Sequence, residues 1–161
     1  MKRTSLLKCD TQTLEHGGFA FKRKRLGTQV GAKGLGASWF ELQPGKKAFP
    51  AHYHLANEEA IFILEGEGVL RIGPMPGATD QQTVEEPLRA GDYVVFPPGP
   101  PGRQVVNKSS GVLRFLAIST MIEPEIAVYP ESKKVGFLAR GMGMSAVHKD
   151  ENEVDYYEGE E

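Results

Sequence analysis

The sequence predicts an all-β fold of the barrel or sandwich type, and three observations carry that prediction. Nineteen glycines and eleven prolines make up 30 of the 161 residues, well above the roughly 12% of average usage, and both residue types are poor in helix interiors. Short apolar runs recur between turn signals at regular spacing, which favours a sandwich or barrel over alternating strands and helices. Hydrophobic residues supply 40% of the chain, enough for a packed core and too many for a disordered segment.

Taken in order, residues 1–36 read as an N-terminal arm rich in glycine and basic residues, with weak periodicity. Residues 37–42 form the first core strand, and Pro44-Gly45 turns the chain. Residues 49–55 alternate around His52 and His54, and 60–64 is a continuous apolar run. Glu65-Gly66-Glu67-Gly68 separates that run from 69–72, a hairpin signature. Residues 73–82 form a surface loop, followed by strands at 84–89, 92–96 and 104–108. Between the last two lies Pro97-Pro98-Gly99-Pro100-Pro101-Gly102, which cannot belong to a central strand. The strand at 112–119 puts Leu113, Phe115 and Ala117 on one face. Trp39 and Phe40 face opposite sides of their strand, and Phe62, Phe96 and Phe115 are expected in the core or pocket wall. The expected organisation is one domain over 1–161, with a core at 37–119, the arm at 1–36 and a C-terminal extension at 120–161.

Charge is unevenly distributed. The last twelve residues hold seven acids and no Lys or Arg, leaving 19 basic against 14 acidic residues elsewhere. Lys22-Arg23-Lys24-Arg25 is the one dense basic run. No aromatic residue interleaves with it, so it offers no platform for single-strand stacking. The run is expected to be a solvated strand face or an arm meeting the acidic tail, with no nucleic-acid partner. Cys9 is the single cysteine, which excludes an intrachain disulfide framework. The first residues lack the apolar stretch of a leader, and no window approaches the length of a membrane span. A cytoplasmic location without membrane association is expected.

His52 and His54 stand one residue apart, so on a strand they project to the same side. Glu59 lies five residues further on, at the start of the next apolar run. Two imidazoles and a carboxylate converging on one face are a ligand set for iron, manganese or zinc, with positions left open for water or substrate. An exposed strand face carrying the same residues is the alternative.

The spacing of these residues resembles that of the cupin family. Gly45, His52-Tyr53-His54, Glu59 and Gly66 match the first motif, with one extra residue between Gly45 and His52. Gly91, Pro97-Pro98-Gly99 and Asn107 match the second, and the pair spans 63 of the 161 residues. The resemblance implies a double-stranded β-helix, the jelly-roll barrel, with His52, His54 and Glu59 as metal ligands pointing inward. The family normally has a fourth ligand, a His, four residues before the motif's Asn; here that position is Arg103. A guanidinium stays protonated and cannot ligate a cation. Either a three-ligand site remains, with Arg103 binding a carboxylate or phosphate of the ligand, or Arg103 pairs with Glu59 and the barrel binds an organic anion without metal.

Flanking stretches, among them Ile118-Ser119-Thr120-Met121, Glu123-Pro124-Glu125, Tyr129-Pro130 and Asp155-Tyr156-Tyr157, resemble a group of small bacterial single-domain cupins. Members carry provisional names such as sugar phosphate isomerase, which rest on fold analogy. The resemblance implies a homodimer whose terminal segments cross to the partner. The expected function is a barrel that binds a divalent metal and a small anionic ligand. Metal-dependent isomerisation, epimerisation or oxygenation is one alternative, and a metal-free binding module is another. No general base is evident in the sequence; Tyr53 and Tyr157 are weak candidates. His16 and His148 are expected on the surface, and Glu59 rather than Glu58 takes the ligand role.

Overall fold

Alternation of apolar and polar residues resolves into thirteen strands over the described residues, 1–149 and 154–160, of the computed structural model. They are β1 (Gln12–His16), β2 (Phe19–Arg25), β3 (Leu35–Leu42), β4 (Tyr53–His54), β5 (Glu59–Glu65), β6 (Glu67–Ile72), β7 (Val84–Arg89), β8 (Tyr93–Phe96), β9 (Arg103–Val106), β10 (Leu113–Thr120), β11 (Glu125–Tyr129), β12 (Lys134–Ala139) and β13 (Met144–Lys149). The longest helix is a single turn at Leu26–Gln29. Every named strand pair is antiparallel, in sheets of order β1-β2-β3-β10-β5-β8, β13-β12-β11-β4 and β7-β6-β9. This is the all-β, jelly-roll architecture expected from the sequence.

The inner face of the six-stranded sheet carries Phe21, Phe40, Leu42, Ile61, Ile63, Phe96, Leu113 and Phe115, which pack against Leu70, Leu88 and Val105. Phe40 stacks on Phe115 with ring centroids 5.1 Å apart, and meets Phe21 and Phe49 edge-on. Asn107 is fully buried; its Nδ2 donates to the carbonyls of Leu42 and Gly111, and its Oδ1 accepts from the backbone and hydroxyl of Ser109. The side chain thereby closes the turn into β10 by satisfying groups that would otherwise be buried unpaired.

Three sequence expectations are corrected. The chain does not fold back as a hairpin at 65–68: β5 pairs with β10 and β8, whereas β6 pairs with β7 and β9. Gly66 has φ +81° in the left-handed region, and a Cβ there would lie 2.2 Å from the Val112 carbonyl oxygen. The glycine lets the chain cross from one sheet to another at close quarters. The stretch 49–55 forms a regular strand only at β4, since Pro50 has no N–H to give to a ladder; around it, Ala48 bonds Val105, His52 bonds Arg103 and Leu55 bonds Ile126. Phe62 is not core: it faces outward and is exposed, in register with Leu116 and Tyr93.

Trp39 and Phe40 do separate, with only Phe40 reaching the core. Cys9 is buried beside Thr4 Oγ1. In the terminal extension, Asp150, Glu151, Glu153 and Glu161 lie outside the described residues, while Val154, Tyr156 and Tyr157 are exposed. Among the described residues no helix is long and apolar enough to cross a membrane.

Candidate metal centre and cavity

The period-two geometry of an extended chain puts His52 and His54 on one side and sends Tyr53 to the other, where it is buried. Glu59 opens β5, opposite Phe96 of β8 and Ser119 of β10. Pairing with sequence-distant strands thus holds the three side chains together. One ligand atom from each of His52, His54 and Glu59 lies within 4.8 Å of the others, and His54 Nε2 is 3.5 Å from Glu59 Oε1. Glu58 is exposed and turned away.

Neighbouring groups orient both rings. His52 Nδ1 donates to the Pro50 carbonyl at 2.8 Å, which leaves Nε2 as its lone-pair nitrogen. His54 Nδ1 is buried without a hydrogen bond and faces Glu125 Oε1 at 3.7 Å. Glu125 is itself 3% exposed and accepts from the backbone N–H groups of Leu55 and Ala56 and from Asn57 Nδ2. Asn57 Oδ1 accepts in turn from Ile122 N–H and the Thr120 hydroxyl. Residues 55–57, which connect the histidines to Glu59, are therefore tied to the start of β11. A carboxylate behind a ligating imidazole fixes its tautomer and raises its basicity.

The electrostatics suit a cation. Burial lowers the His52 pKa below the ordinary imidazole value, with His54 and Arg103 adding to the fall and the Pro50 carbonyl and Glu59 opposing it. A neutral ring is the form that ligates metal. Burial pushes Glu125 up, but hydrogen bonds from Asn57, Ala56 and Leu55 and the proximity of His54 outweigh it and hold the carboxyl below its usual range. Two imidazole nitrogens and one carboxylate oxygen, with a buried Nδ1 already aimed at a second carboxylate, fit a borderline divalent ion such as iron, manganese or zinc.

Arg103 stands next to this group as the cross-strand partner of His52, exchanging backbone hydrogen bonds of 3.0 and 3.2 Å. Its Nη1 donates to the Gly99 carbonyl and its guanidinium lies 5.0 Å from the centre of the Phe96 ring. Nε and Nη2 are buried without acceptors, so the Arg103–Glu59 pair of the metal-free alternative is not formed. Two spaces meet at the centre. A cavity of about 560 Å³ is lined by His52, His54, Glu59 and Tyr129 on one side and by Arg23 and Arg25 on another. A chamber of about 70 Å³ lies between His52, Glu59, Phe96 and Arg103.

Several site residues escaped sequence reading. Tyr129 stacks on His52 at 5.7 Å, and burial with the nearby Glu59 raises its pKa, so the phenol keeps its proton. Glu125 and Asn57 act behind the ligands, and Arg23 and Arg25 come from the arm. The only sequence signal for Tyr129 and Glu125 was their place in the flanking stretches 123–125 and 129–130. Of the two tyrosines named as candidate bases, Tyr53 is buried on the side away from the histidines and Tyr157 is exposed in the terminal extension; His16 and His148 are surface residues.

No curated protein matches the chain. Among solved structures it is similar to the provisionally named sugar phosphate isomerase of Acidithiobacillus ferrooxidans, at 22% identity and TM-score 0.78 over 93% of this chain and 91% of that one. It is similar also to a sugar phosphate isomerase of the cupin superfamily from Silicibacter pomeroyi, at 24% identity and TM-score 0.77 over 96% of both chains. A polyketide cyclase of Streptomyces resistomycificus shares 23% identity and a TM-score of 0.61 over 78% of this chain and 83% of that one. At these identities the likenesses establish the fold. The cupin domain family model matches residues 38–119, more than half of the sequence, and the chain belongs to the cupin domain family.

Proposed function

We propose that this barrel binds a divalent transition metal at His52, His54 and Glu59 and holds a small anionic ligand, a carboxylate or phosphate, against it. The observation that carries the reading is the juxtaposition of that three-residue cluster with a buried guanidinium whose Nε and Nη2 have no acceptor. A buried donor left unsatisfied costs free energy, more so when charged, and an anionic group in the chamber beside Arg103 removes that cost. Burial lowers the Arg103 pKa and Glu59 opposes the fall, yet arginine remains a cation. A bound ion supplies Lewis acidity toward a ligand oxygen. The residues do the rest: Pro50 and Glu125 orient the rings, Arg103 holds the anion, and Phe96 walls the chamber.

The chamber of about 70 Å³ suits a carboxylate group, so formate is the probe. Calorimetric titration of formate into the metal-loaded protein is expected to show binding that weakens about 10- to 100-fold in Arg103→Gln, the loss of two charge-assisted hydrogen bonds at roughly 1.5–3 kcal/mol each being partly offset by water. Arg103→His is expected to raise metal affinity by placing an imidazole beside His52. Protein that purifies without metal, and formate binding indifferent to Arg103, would overturn the reading.

One observation favours a second reading, metal-dependent isomerisation or epimerisation of a phosphorylated sugar. Tyr129 faces the cavity with a proton to donate and its ring against His52, which supplies an acid that the sequence left unassigned. The names of two of the similar structures are in line with it. A cytoplasmic homodimer completes the proposal; the outward row Trp39, Leu116, Phe62 and Tyr93, in register across four strands, supports pairing through that face.

A further inference from the structure

The basic run Lys22-Arg23-Lys24-Arg25 is not a uniform solvated face. It lies on β2, and the alternation of an extended chain splits it. Lys22 and Lys24 face outward, where Lys22 Nζ pairs with Glu41 at 2.9 Å and Lys24 Nζ donates to the Leu6 carbonyl. Arg23 and Arg25 share the face of the core residue Phe21 and line the large cavity that holds the metal-ligand cluster. Their cross-strand partners on β3, Phe40 and Ser38, line it too.

We infer that Arg23 and Arg25 form a second anion subsite in this cavity, which takes the phosphate of a small phosphomonoester whose other end reaches the metal centre. The inference rests on the proposed function for that other end. The charge inventory of the cavity wall supports it. Glu123 is paired with Arg140 at 3.1 Å, Glu125 is committed to His54 and the 55–57 amides, and Glu59 belongs to the ligand cluster. Arg23 is left with a neutral partner, donating Nε and Nη2 to the single Gln12 Oε1, and its guanidinium lies 5.9 Å from the centres of both Phe21 and Phe40. The Arg25 guanidinium has no hydrogen bond or ion pair among the described residues.

Two like charges two residues apart on one strand face, without a carboxylate between them, repel each other. Burial together with Arg25 accordingly lowers the Arg23 pKa. A dianion relieves that repulsion, and its three free oxygens can occupy two guanidinium forks at once, whereas one carboxylate fills only one. Thr28 and Ser38 add hydroxyl donors on the same wall. The volume of about 560 Å³ is in the range of small-molecule pockets.

The test uses the whole chain as purified, with inorganic phosphate titrated by calorimetry in saturating formate, which occupies the chamber beside Arg103, at fixed ionic strength set with chloride. Saturable binding of one phosphate per chain is expected. It should weaken at least tenfold in Arg23→Gln and in Arg25→Gln and persist in Lys24→Gln. The exposed position of Arg25 makes its variant the safer of the two for folding, checked by an unchanged melting temperature. Absence of saturable phosphate binding, wild-type affinity in Arg25→Gln, or an equal loss in Lys24→Gln, the sign of a diffuse basic surface, would each overturn the inference. Formate binding unaffected by Arg25→Gln supports two separate subsites. Phosphate binding retained while metal and formate binding fail would overturn the proposed function and leave the phosphate subsite standing.

Discussion

His52→Ala is expected to reduce metal content from near one ion per chain to background, as read by elemental analysis of protein purified in metal-supplemented medium. The three donor atoms lie within 4.8 Å of one another and no fourth ligand among the described residues stands beside them, since Arg103 occupies that side. Losing one of three leaves a two-donor site that competes poorly with water and buffer for a divalent ion. His16→Ala, on the exposed strand β1, is the control and should leave metal content unchanged. Glu125→Gln should fall between the two, with affinity about 10- to 100-fold lower, the usual cost of removing the group that orients a ligating imidazole. Metal binding also stabilises the folded state, by about 4 kcal/mol at a free concentration a thousand times Kd. Chelator treatment should therefore lower the melting temperature of the wild type and leave that of His52→Ala unmoved. Full metal content in His52→Ala would refute the assignment.

Phe115→Ala carries the largest expected effect on stability, a loss of about 3–5 kcal/mol by urea unfolding. β10 is the strand that joins β3 to β5, and Phe115 is 2% exposed at its centre. Its ring lies against Phe40 at 5.1 Å, Phe40 meets Phe49, and Phe49 meets the edge of His52 at 6.1 Å. The side chain also walls the chamber of about 70 Å³ beside Arg103, so its truncation enlarges a space that packing cannot readily close. In a domain of this size the loss corresponds to a melting temperature lower by roughly 10 °C. Because the aromatic chain runs to His52, the variant should also bind metal more weakly than wild type while retaining all three ligands. A cost below 1 kcal/mol would mean that Phe115 is not the keystone of the sheet.

The candidate metal ligands were legible because His52, His54 and Glu59 fall within eight consecutive residues, and a period-two backbone fixes which of them share a side. Asn107 and Gly66 were legible as motif positions, though the reason for each, a saturated buried amide and a close crossing between sheets, appears only when the strands are assembled. Glu125, Tyr129 and Arg23 were not legible. Each reaches the site from an element more than twenty residues away, and nothing in the local pattern of β11 or β2 distinguishes a side chain facing a cavity from one facing solvent. The supposed hairpin at 65–68 failed for a related reason. A glycine-rich pair of residues permits a tight turn or a close crossing equally well, and long-range pairing with β10 and β9 chose the crossing.

Composition, turn spacing and the two motifs were thus sufficient for the strand content, the barrel class and the three candidate ligands, because each depends on local alternation or on short fixed spacings. Which groups complete the site came from assembly: Glu125 behind His54, the unfilled guanidinium of Arg103 beside His52, and the division of one basic run into two outward lysines and two arginines that line the cavity. Those facts depend on which strands pair and on which face of a sheet meets the cavity. Both are set by the burial of Phe21, Phe40 and Phe115 over the whole chain rather than by any segment of it.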